Sequence, residues 1–202
     1  MPDGYYINNG LEVFTLILDE AFSNMTSLVS IGVKEIINED ISTRINLLPS
    51  TITYIGSYAF SQNESLRNIS LPSMVNTIKK YAFNNCFSLS EVIFNGELLE
   101  TIEEGLFYNN YCLVSIHTSE SNVNTLPLSV KEIKELAFFN VISLETLTIS
   151  NSVNRIGEQA LGGMDSLVSL VIPFIGEYRY QTNNDSTTLG YIFATSKLNL
   201  RN

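Results

Sequence analysis

A short phrase that recurs six times along the chain constrains the fold more than any other feature of the sequence. Each copy begins with an apolar residue, has Ala-Phe or a close substitute four and five positions later, and continues to a Leu and two alternating apolar residues. A repeat of this kind is typical of a solenoid, in which each unit buries its apolar side only against its neighbours. The copies begin at Ile17, Ile55, Ile78, Ile102, Ile133 and Ile156; three intervals are 23, 24 and 23 residues, and those of 38 and 31 residues contain insertions.

Two different spacings coexist within each unit. The first half places apolar residues at offsets 0, 4, 5 and often 8, which is the spacing of one helical face. The second half, L-x-x-I-x-[LIVF], ends in the alternation of a β-strand, and Asn and Ser residues that favour a tight turn lie between the two halves. Each unit therefore predicts a short helix or helical turn followed by a short strand. Stacked units predict an α/β fold, namely a curved parallel-sheet solenoid of about six units of 23–24 residues with insertions.

The repeated aromatic and aliphatic residues are predicted to form continuous columns in the core, because they recur at fixed positions of consecutive units. This regular burial accounts for them without any cofactor or ligand. The aromatic position holds Phe22, Phe60, Phe83, Phe107, Phe138 and Leu161, and the Leu that follows is Leu28, Leu66, Leu89, Leu113, Leu144 and Leu167.

Two stretches carry the repeated phrase in full: "LPSTITYIGSYAFSQNESLRNISLP", which ends at Pro72, and "LPLSVKEIKELAFFNVISLETLTIS", which ends at Ser150. The pattern resembles the leucine-rich repeat superfamily, and in detail its BspA-like branch of bacterial and protist surface proteins. Units of that branch read LP-x-S-V-x-x-I-G-x-x-A-F-x-x-C-x-S-L-x-x-I-x-I-P. The likeness covers residues 16–173, and Cys86 occupies the Cys position of the family.

Individual units depart from this pattern. Glu103 and Lys134 replace the Gly that follows the first apolar residue, and Gly105 with Leu106 replaces the Ala in one unit. These departures weaken individual turns and leave the assignment of the repeat intact.

The resemblance also implies a division of the chain. We expect residues 1–173 to form the repeat array, and residues 174–202 to form a spacer loop followed by a degenerate, incomplete seventh unit that begins at Thr188. Neither end has the polar outer face of a terminal capping repeat. The sequence therefore predicts that these residues belong to a longer array.

Charge and cysteine content exclude several classes of protein. The 202 residues carry 11 basic and 21 acidic side chains, and this balance argues against nucleic acid as a partner. No apolar run is long enough to insert into a membrane, and the start "MPDGYYINNG" has no signal peptide, so that the protein is either cytosolic or a piece of a longer exported chain. Two cysteines, Cys86 and Cys112, exclude a disulfide-rich fold but allow one bridge.

A binding function, if present, must use outward positions of the units. In the strand motif these are the residues between the inward ones, and most of them are small, neutral and polar. The candidate strand face comprises Asn68, Ser70, Glu91, Ile93, Ser115, His117, Thr146, Thr148 and Ser169. On the flank, Tyr58 and Tyr81 are candidate anchors, since aromatic side chains dominate many interfaces. The acidic residues cluster instead at the starts of the predicted helical turns, where they would cap backbone N–H groups.

No motif for catalysis, a metal or a cofactor is present, and the sequence predicts none of the three. Cys112 and the single histidine, His117, could form a nucleophile pair, but nothing in the sequence supplies an orienting third group. The segment "TNNDSTT" offers oxygen ligands without the spacing of a calcium loop.

The family resemblance implies a non-enzymatic protein-binding module of a cell-surface or secreted adhesion protein. Its partner would be a host or neighbouring-cell surface or matrix protein, and its location would be extracellular or at the cell surface. The alternative is a structural spacer without a ligand of its own. The oligomeric state is left open by the sequence.

Overall fold

The computed structural model describes residues 15–29, 31, 48–180 and 188–193. In chain order its elements are β1 (Leu16–Ile17), β2 (Tyr54–Ile55), β3 (Asn68–Leu71), β4 (Thr77–Ile78), β5 (Glu91–Phe94), β6 (Thr101–Ile102), β7 (Ser115–Thr118), β8 (Glu132–Ile133), β9 (Thr146–Thr148), β10 (Arg155–Ile156), β11 (Ser169–Val171) and α1 (Leu189–Phe193). All strand pairs within the sheets are parallel. The predicted parallel-sheet solenoid is thus confirmed.

The strands fall on two sides of the solenoid. On the long-strand side, β3, β5 and β7 form one sheet, and β9 and β11 form another. On the short-strand side, β1, β2 and β4 form one sheet, and β6, β8 and β10 form another. Each two-residue strand ends at the first apolar residue of a unit, so Ile55 pairs with Ile78 and Ile133 pairs with Ile156. We number the units 1 to 6 in the order of these residues.

The segment with helical spacing forms hydrogen-bonded turns rather than an α-helix. Its third and seventh positions after the first apolar residue have positive φ in every unit, which breaks the run of helical dihedrals. In unit 3 these positions are Tyr81 (φ 56°) and Asn85 (φ 57°). Asparagine and glycine fill five of the six seventh positions, because they adopt the left-handed region at low cost. Among the described residues, α1 is the only helix.

The Phe column forms the centre of the core, as predicted. Phe60, Phe83, Phe107 and Phe138 are completely buried. Neighbouring rings stack with centroids 5.1 to 5.9 Å apart, and the column begins at Phe22, whose centroid lies 5.2 Å from that of Phe60. The backbone adds a parallel ladder, since the N–H of Phe60 donates to the carbonyl of the next unit, at Ala82, over 2.8 Å.

The segment that follows unit 6 closes the short-strand side at its C-terminal end. Arg155 of β10 forms an antiparallel bridge with Tyr178, and the N–H of Ile156 donates to the carbonyl of Glu177 over 2.9 Å. Helix α1 then packs on unit 6, where Ile192 is buried and its carbonyl accepts the N–H of Leu161 over 2.9 Å. The division at residue 174 and the incomplete seventh unit stay predictions. Residues 181–187 and 194–202 lie outside the described part of the chain.

Candidate interaction surface

The strand face is built by register. Asn68, Glu91 and Ser115 occupy equivalent positions on β3, β5 and β7, and the pleat directs them to the same side of the sheet. One step along, Ser70, Ile93 and His117 form a second row. On β9 and β11, Thr146 pairs with Ser169, and Thr148 pairs with Val171. The structure therefore brings the candidate residues together as two groups.

An insertion separates these two groups. Residues 119–125 lie between β7 and β9, and Thr125 forms a parallel bridge with Thr148. The side chain of Asn124 completes the connection, because its Oδ1 accepts the N–H of Ile116 and its Nδ2 donates to Thr146 Oγ1. The six-strand face expected from the repeat is thus interrupted after β7, and the sequence signal for this was the 31-residue interval between units.

His117 and Glu91 form a polar pair at the centre of the first group. His117 Nε2 lies 3.3 Å from Glu91 Oε1, and His117 Nδ1 lies 2.9 Å from the carbonyl oxygen of Thr118. Both ring nitrogens therefore lie next to oxygen atoms of the protein. The His117 side chain is 12% exposed and that of Glu91 is 40% exposed, so that the carboxylate is the more accessible member.

The candidate residues differ in accessibility. Thr146 and Ser169 are exposed, and Asn68, Glu91, Ile93, Ser115, His117 and Thr148 are half-buried. Ser70 is only 4% exposed, and its hydroxyl accepts a hydrogen bond from Asn95 Nδ2 over 2.6 Å. Ser70 accordingly supports the end of β5 more than it offers a contact to a partner.

Tyr58 and Tyr81 lie on the turn flank, which is the side of the solenoid formed by the hydrogen-bonded turns that follow the short strands. Their rings stack on each other, with centroids 5.3 Å apart and an angle of 9° between the ring planes. The ring of Tyr81 covers Gly105, where an added Cβ would lie 2.0 Å from the ring. Tyr81 donates its hydroxyl hydrogen to Glu104 Oε1 over 2.9 Å. Burial first, and then this hydrogen bond, raise the pKa of Tyr81 to about 12. Both tyrosines are half-buried, and the faces that they turn to each other are covered by the stack.

Further side chains of the turn flank also form columns that end at a glycine. Tyr108 stacks on Phe139 with centroids 5.3 Å apart, and Phe139 covers Gly162. Asn109 Nδ2 donates to Asn85 Oδ1, and Asn140 Nδ2 donates to Asn109 Oδ1, each over 2.9 Å. This asparagine column ends at Gly163, where an added Cβ would lie 2.2 Å from Asn140 Oδ1. Each of these side chains therefore packs on, or forms a hydrogen bond with, a neighbouring unit.

Two of the departures from the family pattern contact each other. Lys134 Nζ lies 2.9 Å from both carboxylate oxygens of Glu103, in adjacent units. Farther along, the guanidinium of Arg155 contacts Glu132, Glu135 and Glu177, and the last of these lies in the segment that follows unit 6. Burial alone would raise the pKa of Glu135, but backbone and Arg155 hydrogen bonds outweigh it and lower that pKa. The acidic residues of the flank thus join units to one another.

The cysteines show no sign of a nucleophile. Cys86 is completely buried, and burial raises the pKa of its thiol to about 12 despite a hydrogen bond from the Asn63 backbone. Cys112 is exposed, and both thiols are free. Within the described ranges, no group of three metal-ligating side chains occurs, and no helix could cross a membrane. Residues 182–187 of the polar loop lie outside those ranges.

Comparison with known proteins is consistent with this geometry. Residues 39–126 and 122–199 match the family model "BspA type Leucine rich repeat region", in 6 copies. A comparison with curated protein sequences gives no significant match.

Several solved structures are similar in fold. The crystal structure of the leucine-rich repeat protein TpLRR of T. pallidum has a TM-score of 0.65 and 28% identity, and covers 81% of this chain and 65% of that one. A leucine-rich repeat protein from Bacteroides ovatus has a TM-score of 0.58 and 28% identity, over 78% of this chain and 37% of that one. A leucine rich cell surface protein from Faecalibacterium prausnitzii has a TM-score of 0.53 and 22% identity, over 85% of this chain and 45% of that one, which is a likeness of fold alone.

This chain spans less than two thirds of the length of each of these proteins. Leucine-rich repeat proteins in general mediate protein–protein interactions and are typically not enzymes. Because the family model matches well over half of the residues, the chain belongs to the BspA-type leucine-rich repeat family.

Proposed function

We propose that the chain is a non-enzymatic protein-binding module of a cell-surface or secreted adhesion protein. Its strand face would bind a host or neighbouring-cell surface or matrix protein. The observation that supports this most is the register of β3, β5 and β7, which aligns partly exposed polar side chains in rows across adjacent units. On the turn flank, by contrast, aromatic, amide and charged side chains are engaged with the neighbouring unit.

The size of this face predicts weak binding by a single copy. Three parallel strands about 4.8 Å apart, each about 13 Å long, present on the order of 150–200 Å² of sheet surface. The second group, on β9 and β11, adds a smaller patch. A stable interface uses about 800 Å² on each partner. Multiple copies on one surface, or a longer array, would raise the apparent affinity through avidity.

The proposed location rests on the family and not on the chain itself. The likeness to the cell surface protein of Faecalibacterium prausnitzii is a likeness of fold, at 22% identity.

Binding to immobilised extracellular-matrix and cell-surface proteins tests the proposal. The purified chain is compared with a variant in which Asn68, Glu91, His117 and Thr148 are changed together, all four being on the strand face. A matched control changes Asn76, Lys79 and Lys80, which are exposed on the short-strand side. We expect saturable binding that the first variant loses and the control keeps. Equal binding by all three would rule out the strand face.

The alternative is a structural spacer, and the continuous Phe column favours it to a degree. A fully buried stack through units 2 to 5 gives a stiff rod regardless of what its surface binds. No binding to any surface protein by a chain shown to be folded would favour the spacer. Tyr58 and Tyr81 stay candidate anchors. Because their rings stack on each other, the variants Tyr58→Phe and Tyr81→Phe test the hydroxyl groups without removing the stack.

A further inference from the structure

A second surface lies at the ninth position after the first apolar residue of each unit. In units 3, 4 and 5 this position holds Phe87, Tyr111 and Ile142, which we call the apolar strip. Tyr111 is 37% exposed, Ile142 is 36% exposed and Phe87 is half-buried. The rings of Phe87 and Tyr111 are parallel within 3°, with centroids 5.4 Å apart. Three consecutive units thus present large apolar side chains to solvent in one row.

Hydrogen bonds between units hold this row in line. Ser143 Oγ donates to the carbonyl of Tyr111 over 2.6 Å, and the N–H of Ser166 donates to the carbonyl of Ile142 over 3.1 Å. The tenth position is short in every unit, with Ser88, Cys112 and Ser143 beside the strip. Because these neighbours are small, they leave the apolar side chains of the strip accessible from that side.

A carboxylate lies at each end of the strip. The same ninth position holds Glu64 in unit 2 and Asp165 in unit 6, and both are exposed. Along the axis the order is therefore acid, three apolar residues, acid. No basic residue occupies this position in any unit. The strip thus favours a partner with an apolar centre and a positive charge at both ends.

The spacing of the rows selects the form of that partner. The two stacked rings are 5.4 Å apart, and an α-helix advances 5.4 Å per turn. An extended peptide places side chains of one face about 6.6–6.8 Å apart, and falls out of step over three rows. A helix parallel to the axis therefore matches the distance between Phe87 and Tyr111.

We propose that the apolar strip binds an amphipathic α-helix of a partner protein, aligned with the solenoid axis. The helix carries apolar side chains on successive turns and a Lys or Arg one turn beyond each end, opposite Glu64 and Asp165. This surface is separate from the strand face and does not depend on the adhesion role proposed above.

A designed peptide tests the proposal directly. The probe is an 18-residue alanine-based helix with leucine at positions 5, 9 and 12 and lysine at positions 1 and 16, so that all five lie on one face. A second peptide has glutamate in place of the two lysines. We expect the lysine peptide to bind with a Kd on the order of 10–100 μM, as suits a small interface, and the glutamate peptide to bind at least about tenfold more weakly.

Matched variants separate the strip from general attraction to an acidic protein. Ile142→Asp adds a negative charge inside the strip, and Leu128→Asp adds one at a residue that is 66% exposed and lies outside it. General attraction would strengthen binding of the lysine peptide to both variants. The proposal requires at least a tenfold loss in Ile142→Asp and no loss in Leu128→Asp.

Charge reversal provides a test that leaves the apolar residues in place. In the double variant with Glu64→Lys and Asp165→Lys, both at exposed positions, we expect the preference to invert, so that the glutamate peptide binds more tightly than the lysine peptide. An unchanged preference, or equal binding of the lysine peptide to Ile142→Asp and the parent chain, would overturn the proposal.

Discussion

The long-strand side and the turn flank of the solenoid respond differently to the same insertion. Between units 4 and 5 the extra residues separate β7 from β9, and Asn124 bridges the gap with its side chain. In the Phe column and on the short-strand side, the insertion does not disturb the stacking of units 4 and 5. Phe107 and Phe138 stack 5.5 Å apart, and β6 pairs directly with β8.

This difference shows which side maintains the array. The Phe column continues across both insertions, and β1 pairs with β2 across the 38-residue interval before unit 2. The short-strand side is divided instead between β4 and β6, where the interval has no insertion. The insertion between units 4 and 5 leaves from the long-strand side, so the outline of that side changes there while the stacking of the units is preserved. A surface that varies on a constant frame suits recognition.

The largest expected effect comes from cutting the frame at the insertion. Phe107→Ala should lower the free energy of unfolding by about 3–5 kcal/mol, because it removes a fully buried ring and leaves a cavity between two stacked neighbours. Chemical denaturation measures the loss. Since units couple to their neighbours, hydrogen exchange should show units 5 and 6 opening separately from units 2 and 3. A uniform rise in exchange along the array would contradict this.

A smaller effect is expected on the long-strand side. Asn124→Ala removes the acceptor of the Ile116 N–H and the donors to Val114 O and Thr146 Oγ1, and should cost about 1–2 kcal/mol. Amide exchange should accelerate at Ile116 and Thr148 and remain slow at Phe107. Faster exchange at Phe107 would mean that the two sides are not independent. Asn122→Ala, the same substitution at an exposed position of the same insertion, serves as the control.

The hydrogen bond from Tyr81 to Glu104 predicts an alkaline dependence of the frame. The pKa of Tyr81 is raised to about 12 in the folded protein, so its contribution is present below pH 10 and is lost as the pH rises towards 12. The stability difference between the parent chain and Tyr81→Phe should be about 1 kcal/mol at pH 8 and should shrink above pH 10. Denaturant titrations at several pH values measure it, and a difference that stays constant up to pH 12 would contradict the raised pKa of Tyr81, which burial and then the hydrogen bond produce.

The smallest effect should come from the ion pair between adjacent units. Lys134→Met should cost about 0.2–1 kcal/mol, because both side chains are partly exposed and water screens the pair. The loss should disappear in 1 M salt. Glu103→Gln is the reciprocal variant, and the double variant should cost no more than either single one. A larger, salt-independent loss would point to packing of the Lys134 side chain.

Much of the frame could be predicted from the repeat alone. Residues at a fixed offset in consecutive units must face one another, which places Phe60 against Phe83 without any knowledge of backbone angles. The alternation in L-x-x-I-x-I gave the outward and inward sides of β3 and β5 in the same way.

Backbone conformation was harder to predict, because spacing does not report the sign of φ. Offsets 0, 4 and 5 fit a helix and also fit a short strand followed by a turn with two left-handed residues, and the structure has the second arrangement. Asn85, Asn109 and Asn140 were the available signal, since Asn at a fixed position often marks that region. Tyr81 and Leu136 gave no such signal.

The strand face could be predicted in part. The repeat predicted that Glu91 pairs with Ser115 and Ile93 with His117, whereas the contact between Glu91 and His117 is a diagonal one made by their side chains. The separation after β7 depends on how seven inserted residues fold, and the burial of Ser70 depends on Asn95, a residue beyond the motif. The contact between Glu103 and Lys134 could have been found, because opposite charges occupy one position in adjacent units.

The glycines at the ends of the columns give the array a direction, with consequences for its redesign. Tyr81, Phe139 and Asn140 each extend towards the unit that follows, and each meets a glycine there. The array can therefore be lengthened by duplicating a unit only where the side chains of that unit fit against the copy that follows it. Unit 3 meets this condition at the asparagine column, since Asn85 is followed by another asparagine in the next unit. Unit 6 has Gly162 and Gly163 at the ends of two columns, so it contacts the side chains of the preceding unit but has no side chain at these positions to contact a copy of itself. Engineered extensions should accordingly be inserted upstream of unit 6, never copied from it.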